Sequence, residues 1–381
     1  MRTGRAVKIA AIILLFASVG LFTFLLLGNR DGGSSASSDP KVIDGMMCTL
    51  ILNTEEVLTD LARNRCEEFE KALDSIRNKK QISRDDYIDQ FAEAWETYKG
   101  NKTLSYVFET DGSDEDILAF LRGETETATD QTCKILSSRL KKIDLVHAEM
   151  IRTGEIIRVT LPFEINNESM EKAEDIFRTG ILELWPTMSG EDIFRQICSA
   201  DSIDILHGCY ERTACVGFAY DSDTYRINEI LDSLHKAHAL DSNFRPMWTA
   251  KPSGENNDMY DLVAIYDDGN GAPINNSHID TAKVEFNNTG EVSVGFVMND
   301  EGKEIFRSMT YRNIGKQIAI TLDNSVISYP VVNTIIDVGM ASIVGDFTVE
   351  EAERLATILN IGKLPVSLKV LRYQKAQIIL N

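Results

Sequence analysis

His235 and His238 stand three residues apart in Tyr225–Leu240, a segment whose apolar spacing predicts a helix. That spacing can present both imidazoles to one metal ion. Their neighbours Leu234, Ala237, Ala239 and Leu240 make an amphipathic surface helix the better reading. Asp267–Gly271 (DDGNG) opens like a calcium loop but has no Glu at the closing position, so a plain loop is expected. Of the six cysteines (Cys48, Cys66, Cys133, Cys198, Cys209, Cys215), only Cys209 and Cys215 are close, within HGCYERTAC. A hairpin there would allow a disulfide; otherwise all six read as small buried hydrophobes, and none has redox or zinc CxxC spacing. The chain has no P-loop, dinucleotide glycine fingerprint, GxSxG or HExxH. No catalytic constellation assembles from spacing, so neither an enzyme nor a cofactor is expected.

The elements that would position any site follow from composition. The chain has 381 residues, 43% hydrophobic, with 59 acidic against 39 basic side chains and a net charge of −20. That surface repels nucleic acid, and the acidic runs read as solvated faces. Ile9–Gly28 carries no charge and is long enough for a helix crossing about 30 Å of hydrocarbon. Arg2, Arg5 and Lys8 precede it, while Arg30 and Asp31 cancel after it, so the positive-inside bias keeps the N-terminus cytoplasmic. Ser34–Ser37 offers a cleavage site for the rival signal-peptide reading, but the apolar run is longer than such peptides use. The expectation is a cytoplasmic tip at 1–6, an uncleaved transmembrane helix at 7–28 and a Gly/Ser linker at 29–42.

Beyond the linker, Met47–Leu52 predicts a buried strand, Thr54–Lys79 and Asp85–Tyr98 amphipathic helices, and Asp111–Asp116 a turn capping a helix to Leu121. Asp130–Ile143 predicts a separate helix, Ile156–Leu161 a strand, Ser169–Thr179 a helix and Ile181–Trp185 a strand. That order begins a ferredoxin-like α+β layer. Val216–Tyr220 and Leu262–Tyr266 predict strands around the Tyr225–Leu240 helix. Lys283–Phe286 and Val292–Met298 predict a hairpin, Asp300–Tyr311 a helix, and Gln317–Leu322 with Val326–Ile327 strands about a tight Asp323–Asn324 turn. Ala341–Val344, Val349–Leu359 and Ser367–Arg372 predict strand, helix and strand; the last would complete a base discontinuous in sequence.

Val292–Asn333 resembles a segment of the SecD/SecDF translocase family in which a strand leads to an N-x-E-G-x-x-x-F helix, then A-I-x-L-D, a turn and V-I-S-x-P. Here those are Asn299, Glu301, Gly302 and Phe306, then Ala319, Ile320, Leu322, Asp323, Val326, Ile327, Ser328 and Pro330. Ser342, Ile343, Gly345, Phe347, Thr348, Glu350–Ala352 and Gly362–Pro365 continue the match. Upstream, Asp130–Leu145 resembles the family's D-x-T-x-x-I-L helix, while Ile181–Trp185 and Trp248–Pro252 resemble the fused Bacteroidota type. The family's D-L-x-G-G entry survives only as Ile43–Met46.

The resemblance implies a first periplasmic domain: a ferredoxin-like discontinuous base with an inserted α+β head. Expected boundaries are a base with helical insertion at 43–190, a lineage-type middle at 191–275, the head at 276–362 and the return to base at 363–381. It implies a domain outside the bacterial cytoplasmic (inner) membrane that assists protein export by contacting unfolded or translocating polypeptide, with Sec translocase subunits as further partners. Phe296, Tyr329 and Pro330 are the candidate contacts, since the matched segment carries them; core and turn roles compete. The sequence ends at Asn381, before the family's later proton-handling membrane helices, so no proton channel of its own is expected. The alternative is a diverged envelope scaffold unrelated to export.

Overall fold

The structure, a computed structural model, describes residues 41–77, 84–143, 145, 147–200, 204–208, 213–253, 258–286, 290–345 and 347–380. The expected membrane span lies outside these; among the described residues no helix is long and apolar enough to cross a membrane.

Strand β1 (Lys41–Leu52) puts Met46, Cys48, Leu50 and Leu52, every second residue, into one buried core. Where one helix was expected over Thr54–Lys79 there are two, α1 (Thr54–Leu61) and α2 (Glu67–Arg77). They are followed by α3 (Arg84–Tyr98), α4 (Leu104–Phe108) and α5 (Asp114–Lys142). The break falls where the Arg63 and Asn64 N–H groups donate to the Val107 carbonyl of α4, each at 2.9 Å. Phe69 meets Phe91 and Phe108 edge-on at 5.7 and 6.0 Å, at the centre of this helical insertion.

Helix α5 is continuous through the stretch expected to divide it. A capping box between Ser113 and Asp116 starts it, and Arg139, Lys141 and Lys142 suit its C-terminal dipole. The polar middle can be buried because Thr125 and Thr129 hydroxyls donate to carbonyls four residues back, both at 2.8 Å. Its 29 residues run about 43 Å. Ile117 and Leu121 enter the insertion core, and Leu136 and Leu140 enter the core under β1.

Next come β2 (Glu149–Thr153), β3 (Ile156–Leu161), α6 (Asn167–Phe177), β4 (Leu182–Pro186), α7 (Gly190–Ala200), β5 (Cys215–Tyr220), α8 (Asp221–Lys236), β6 (Phe244–Trp248) and β7 (Met259–Tyr266). Then follow β8 (Ile274–Asn275), β9 (Ile279–Phe286), β10 (Val292–Met298), α9 (Asp300–Arg312), β11 (Ile318–Leu322), β12 (Ser325–Ser328), β13 (Met340–Val344), α10 (Val349–Ile361) and β14 (Leu368–Leu380).

The base sheet has the order β14-β1-β3-β2, with β1–β3 and β2–β3 antiparallel. Its fourth strand thus comes from the far end of the sequence. Ile181–Trp185, read above with the base strands, does not belong to it. It pairs in β12-β11-β4-β8, because Leu182 and Leu184 face the head core while Trp185 faces the opposite side. Strand β11 is likewise buried on both faces: Ile318, Ile320 and Leu322 enter the head core, and Ala319 meets Val263 and Ile265 of β7. Double burial explains the near-continuous apolar run of IAITL. The head's second sheet is β13-β10-β9, and the middle has β5-β7-β6 with α7 and α8 around its own core.

Candidate functional site

An apolar groove of about 320 Å³ opens in the head between α9, β11, β13 and the segment 329–339. Phe306, Ile318, Ile320, Val332 and Ile336 form its apolar lining, with Thr310 and Ser342 among the polar contributors. The helix that supplies Phe306 is fixed by its start. Asn299 Oδ1 accepts from Gly302 N at 2.9 Å, and its Nδ2 donates to Ser277 O at 2.9 Å. A Cβ on Gly302 would lie 2.8 Å from His278 Cβ, which is why the N-x-E-G pattern needs glycine there.

The outer wall has no regular secondary structure but is well tied. Ile318 N donates to Pro330 O (3.1 Å), Val332 N to Lys316 O (2.8 Å), Gly315 N to Val332 O (2.8 Å) and Ile336 N to Thr310 Oγ1 (3.1 Å). Around it Val331, Ile335, Val338 and Met340 are 41–58% exposed. Among the described residues, strand β13, which brings Ala341 and Ser342 to the groove, is the edge of its sheet and pairs only with β10. A concave apolar surface beside a sheet edge can take an extended chain through backbone hydrogen bonds and side-chain burial.

The head is held to the base through the outgoing segment after α6 and the return after α10. Arg139 of α5 is buried, and its guanidinium donates to the carbonyls of Ile176, Arg178, Thr179 and Gly362. Burial lowers its pKa to about 10, against the pull of Asp323, so it stays charged at neutral pH. Asp323 and Asn324 turn tightly with φ of 50° and 63°. The Asp323 carboxylate accepts from Gly180 N (2.9 Å) and Ile181 N (2.8 Å). Gly180, at φ 82°, could not carry a Cβ, which would lie 2.3 Å from Ile358 Cγ2. Arg354 of α10 reaches Asp175 of α6 at 3.0 Å.

Of the three candidate contacts, only Pro330 lines the groove. Phe296 is 2% exposed in the head core. Tyr329 packs towards the middle, its hydroxyl donating to Asp261 Oδ2 at 2.6 Å. Sequence reasoning missed Val331, Val332, Ile335, Ile336 and Val338; the signal was an apolar run lacking either helical or strand period. His235 stacks on Phe244 at 5.9 Å, and His238 lies past the α8 end at φ 52°. Asp267 and Asp268 accept from Gly269 N and Asn270 N, spending carboxylate oxygens on their own loop. Cys215 is buried; Cys209 lies outside the described residues.

Residues 268–366, which hold every groove-lining residue except Leu184, match the family model for the SecDF P1 head subdomain. Through this head the chain is similar to SecD/SecDF. Protein translocase subunit SecD of Rhodothermus marinus is 26% identical to it over 381 residues, covering 86% of this chain and 60% of the relative. SecD of Dictyoglomus turgidum is 42% identical over 110 residues, 29% of this chain and 28% of the relative. The chain therefore spans less than two thirds of the length of these curated relatives. A solved structure described as "Structure and function of a membrane component SecDF that enhances protein export" aligns over 65% of this chain and 92% of its own, with TM-score 0.38 and 20% identity. A second, "Crystal structure of SecDF in Super-membrane-facing form", covers 89% of this chain and 32% of its own, with TM-score 0.42 and 17% identity. The strand pairings above, rather than these superpositions, define the fold of the SecD-like domain.

Proposed function

We propose that this SecD-like domain assists protein export by holding extended apolar stretches of translocating polypeptide in the head groove, against the β13 edge. The supporting observation is the cluster of exposed Val331, Ile335, Val338 and Met340 around an apolar hollow, since such patches on monomers mark binding surfaces. In this reading the base is a ferredoxin-like platform closed by β14, and Ile9–Gly28 anchors it to the inner membrane in a single pass, beside Sec translocase subunits. That apolar run holds no ionisable residue, so capture itself needs no proton movement through it.

The test is fluorescence anisotropy of a labelled, permanently unfolded polypeptide with the full chain in mild detergent. Val331→Asp and Val338→Asp change exposed side chains and leave the core intact. Each is expected to weaken binding about tenfold, the cost of placing a charge in an apolar contact. Wild-type protein that ignores the polypeptide, or variants that bind as wild type does, would reject capture in the groove. The former result would favour an envelope scaffold.

A further inference from the structure

Among the described residues the two head sheets end in β9, β12, β8 and β13; two of these edges are covered by the chain itself and one is very short. On β9 the Asn360 side chain of α10 acts as a neighbouring strand would. Its Oδ1 accepts from Ala282 N at 3.0 Å, and its Nδ2 donates to Ala282 O at 2.7 Å. On β12 the middle supplies the cover, with Ala250 N donating to Val326 O at 2.8 Å. Strand β8 has two residues, a common way of blunting an edge. Strand β13 (MASIV) has no such protection, carries neither charge nor proline, and borders the groove.

Its pairing with β10 determines which backbone groups are free. Met298 N donates to Gly339 O at 2.8 Å, and bonded and unbonded pairs alternate along an antiparallel ladder. Ala341, opposite Phe296, and Ile343, opposite Val294, are therefore bonded to β10. The N–H and C=O groups of Met340, Ser342 and Val344 point out from the edge. Side chains divide the same way. Ala341 and Ile343 face the head core, which supplies the groove's Phe306, Ile318, Ile320 and Val332. Ser342 lies on the other face, its hydroxyl donating to Glu285 at 3.2 Å, as do the exposed Met340 and Val344.

We propose that the groove selects strand-patterned polypeptide, with apolar and polar residues in alternation, by adding it antiparallel to β13. This deepens, and rests on, the reading of the groove as a capture site. Antiparallel addition is the more stable pairing per residue. The segment's polar residues then lie opposite Met340, Ser342 and Val344 and exchange the backbone bonds. Its apolar residues lie opposite Ala341 and Ile343, with side chains in the hollow and N–H groups turned away from β13. A helix-patterned segment cannot place all its apolar residues on one side of an extended chain.

The test is fluorescence anisotropy of two end-labelled peptides of equal composition, VSVSVSVSV and VSSVVSSVV, with the full chain in mild detergent. The alternating peptide should bind about tenfold more tightly. N-methylation of its serines removes the donors that face β13 and should weaken binding about tenfold or more, whereas N-methylation of its valines should change it less than about threefold. Hydrogen exchange at the Met340, Ser342 and Val344 amides should slow on binding. If neither peptide binds, capture in the groove fails and this inference with it. If the two patterns bind alike, if methylated serines cost no more than methylated valines, or if those three amides exchange as before, capture stands and strand addition to β13 is overturned.

Discussion

Nη2 of Arg139 lies 2.8 Å from the carbonyl of Gly362, where the chain comes back from the head. The same nitrogen lies 3.1 Å from the carbonyl of Thr179, on the way out. One side chain of the base helix therefore fastens both crossings. Arg139→Ala would leave four carbonyls short of a donor and open a void, and is expected to cost about 3–5 kcal/mol. Urea denaturation measures this; a loss below about 1 kcal/mol would show that water replaces the guanidinium at no penalty.

Asp323 acts on the same crossing from the head side. Asp323→Ala removes the acceptor of Gly180 N and Ile181 N, for an expected loss of about 2–3 kcal/mol, whereas Asp323→Asn keeps an oxygen in place and should lose less. Gly180→Ala should also destabilise, because its Cβ would overlap Ile358. Equal midpoints for Asp323→Ala and Asp323→Asn would mean that the carboxylate oxygens are not what orders the turn.

Phe296 and Val338 separate core from surface. Phe296→Ala empties a buried ring site and should cost about 3–5 kcal/mol, yet any protein that remains folded should bind polypeptide normally. Val338→Asp, at an exposed position, should do the opposite: a melting midpoint within a degree or two and weakened binding. The paired melting and anisotropy measurements check both, and a reversed pattern would move the contact surface to the β10 face.

Acid should loosen the helical insertion. The hydrogen bond from Lys102 at 2.5 Å, joined by Glu68's own backbone, holds the Glu68 carboxyl down to about 2. The Ser113 hydroxyl and N–H lower Asp116. A depressed carboxyl adds stability above its unfolded value, about 4.3 for Glu, and gives it up as pH falls through the folded value. Denaturation midpoints should therefore drop between about pH 5 and 2, and Glu68→Gln should flatten part of the drop. An unchanged profile in that variant would show that solvent already screens the pair.

Much of the head was readable because local pattern and burial agree there. Asn299 and Gly302 fix the α9 start, IAITL is buried on both faces, and Thr348 with Glu351 forms the capping box of α10. Elsewhere the two conflict. The threonines of α5 look like a linker until their hydroxyls bond back to the helix. Strand β2, with Glu149, Ile151 and Thr153 facing solvent, shows no apolar alternation because it is an edge. The middle's α7 and β6 were passed over; α7 buries only Gly190, Ile193 and Ile197. Of the groove, Pro330 alone was anticipated. The remaining wall is shaped by hydrogen bonds to Gly315, Lys316 and Thr310, which no periodicity encodes.

The placement of β14 beside β1 sets an order of events during synthesis. The insertion and the middle have cores drawn from neighbouring stretches of chain, and each can condense as it emerges; the head needs β4 from before the middle but nothing beyond α10. The base cannot, because the partner on one flank of β1 is made only after α10. At roughly 5–20 residues per second, the wait from β3 to β14 is on the order of ten to forty seconds. Through that interval β1 presents an open strand edge to whatever other chain is near, the exposure that favours intermolecular pairing. The nascent base is thus open to such pairing until β14 closes it.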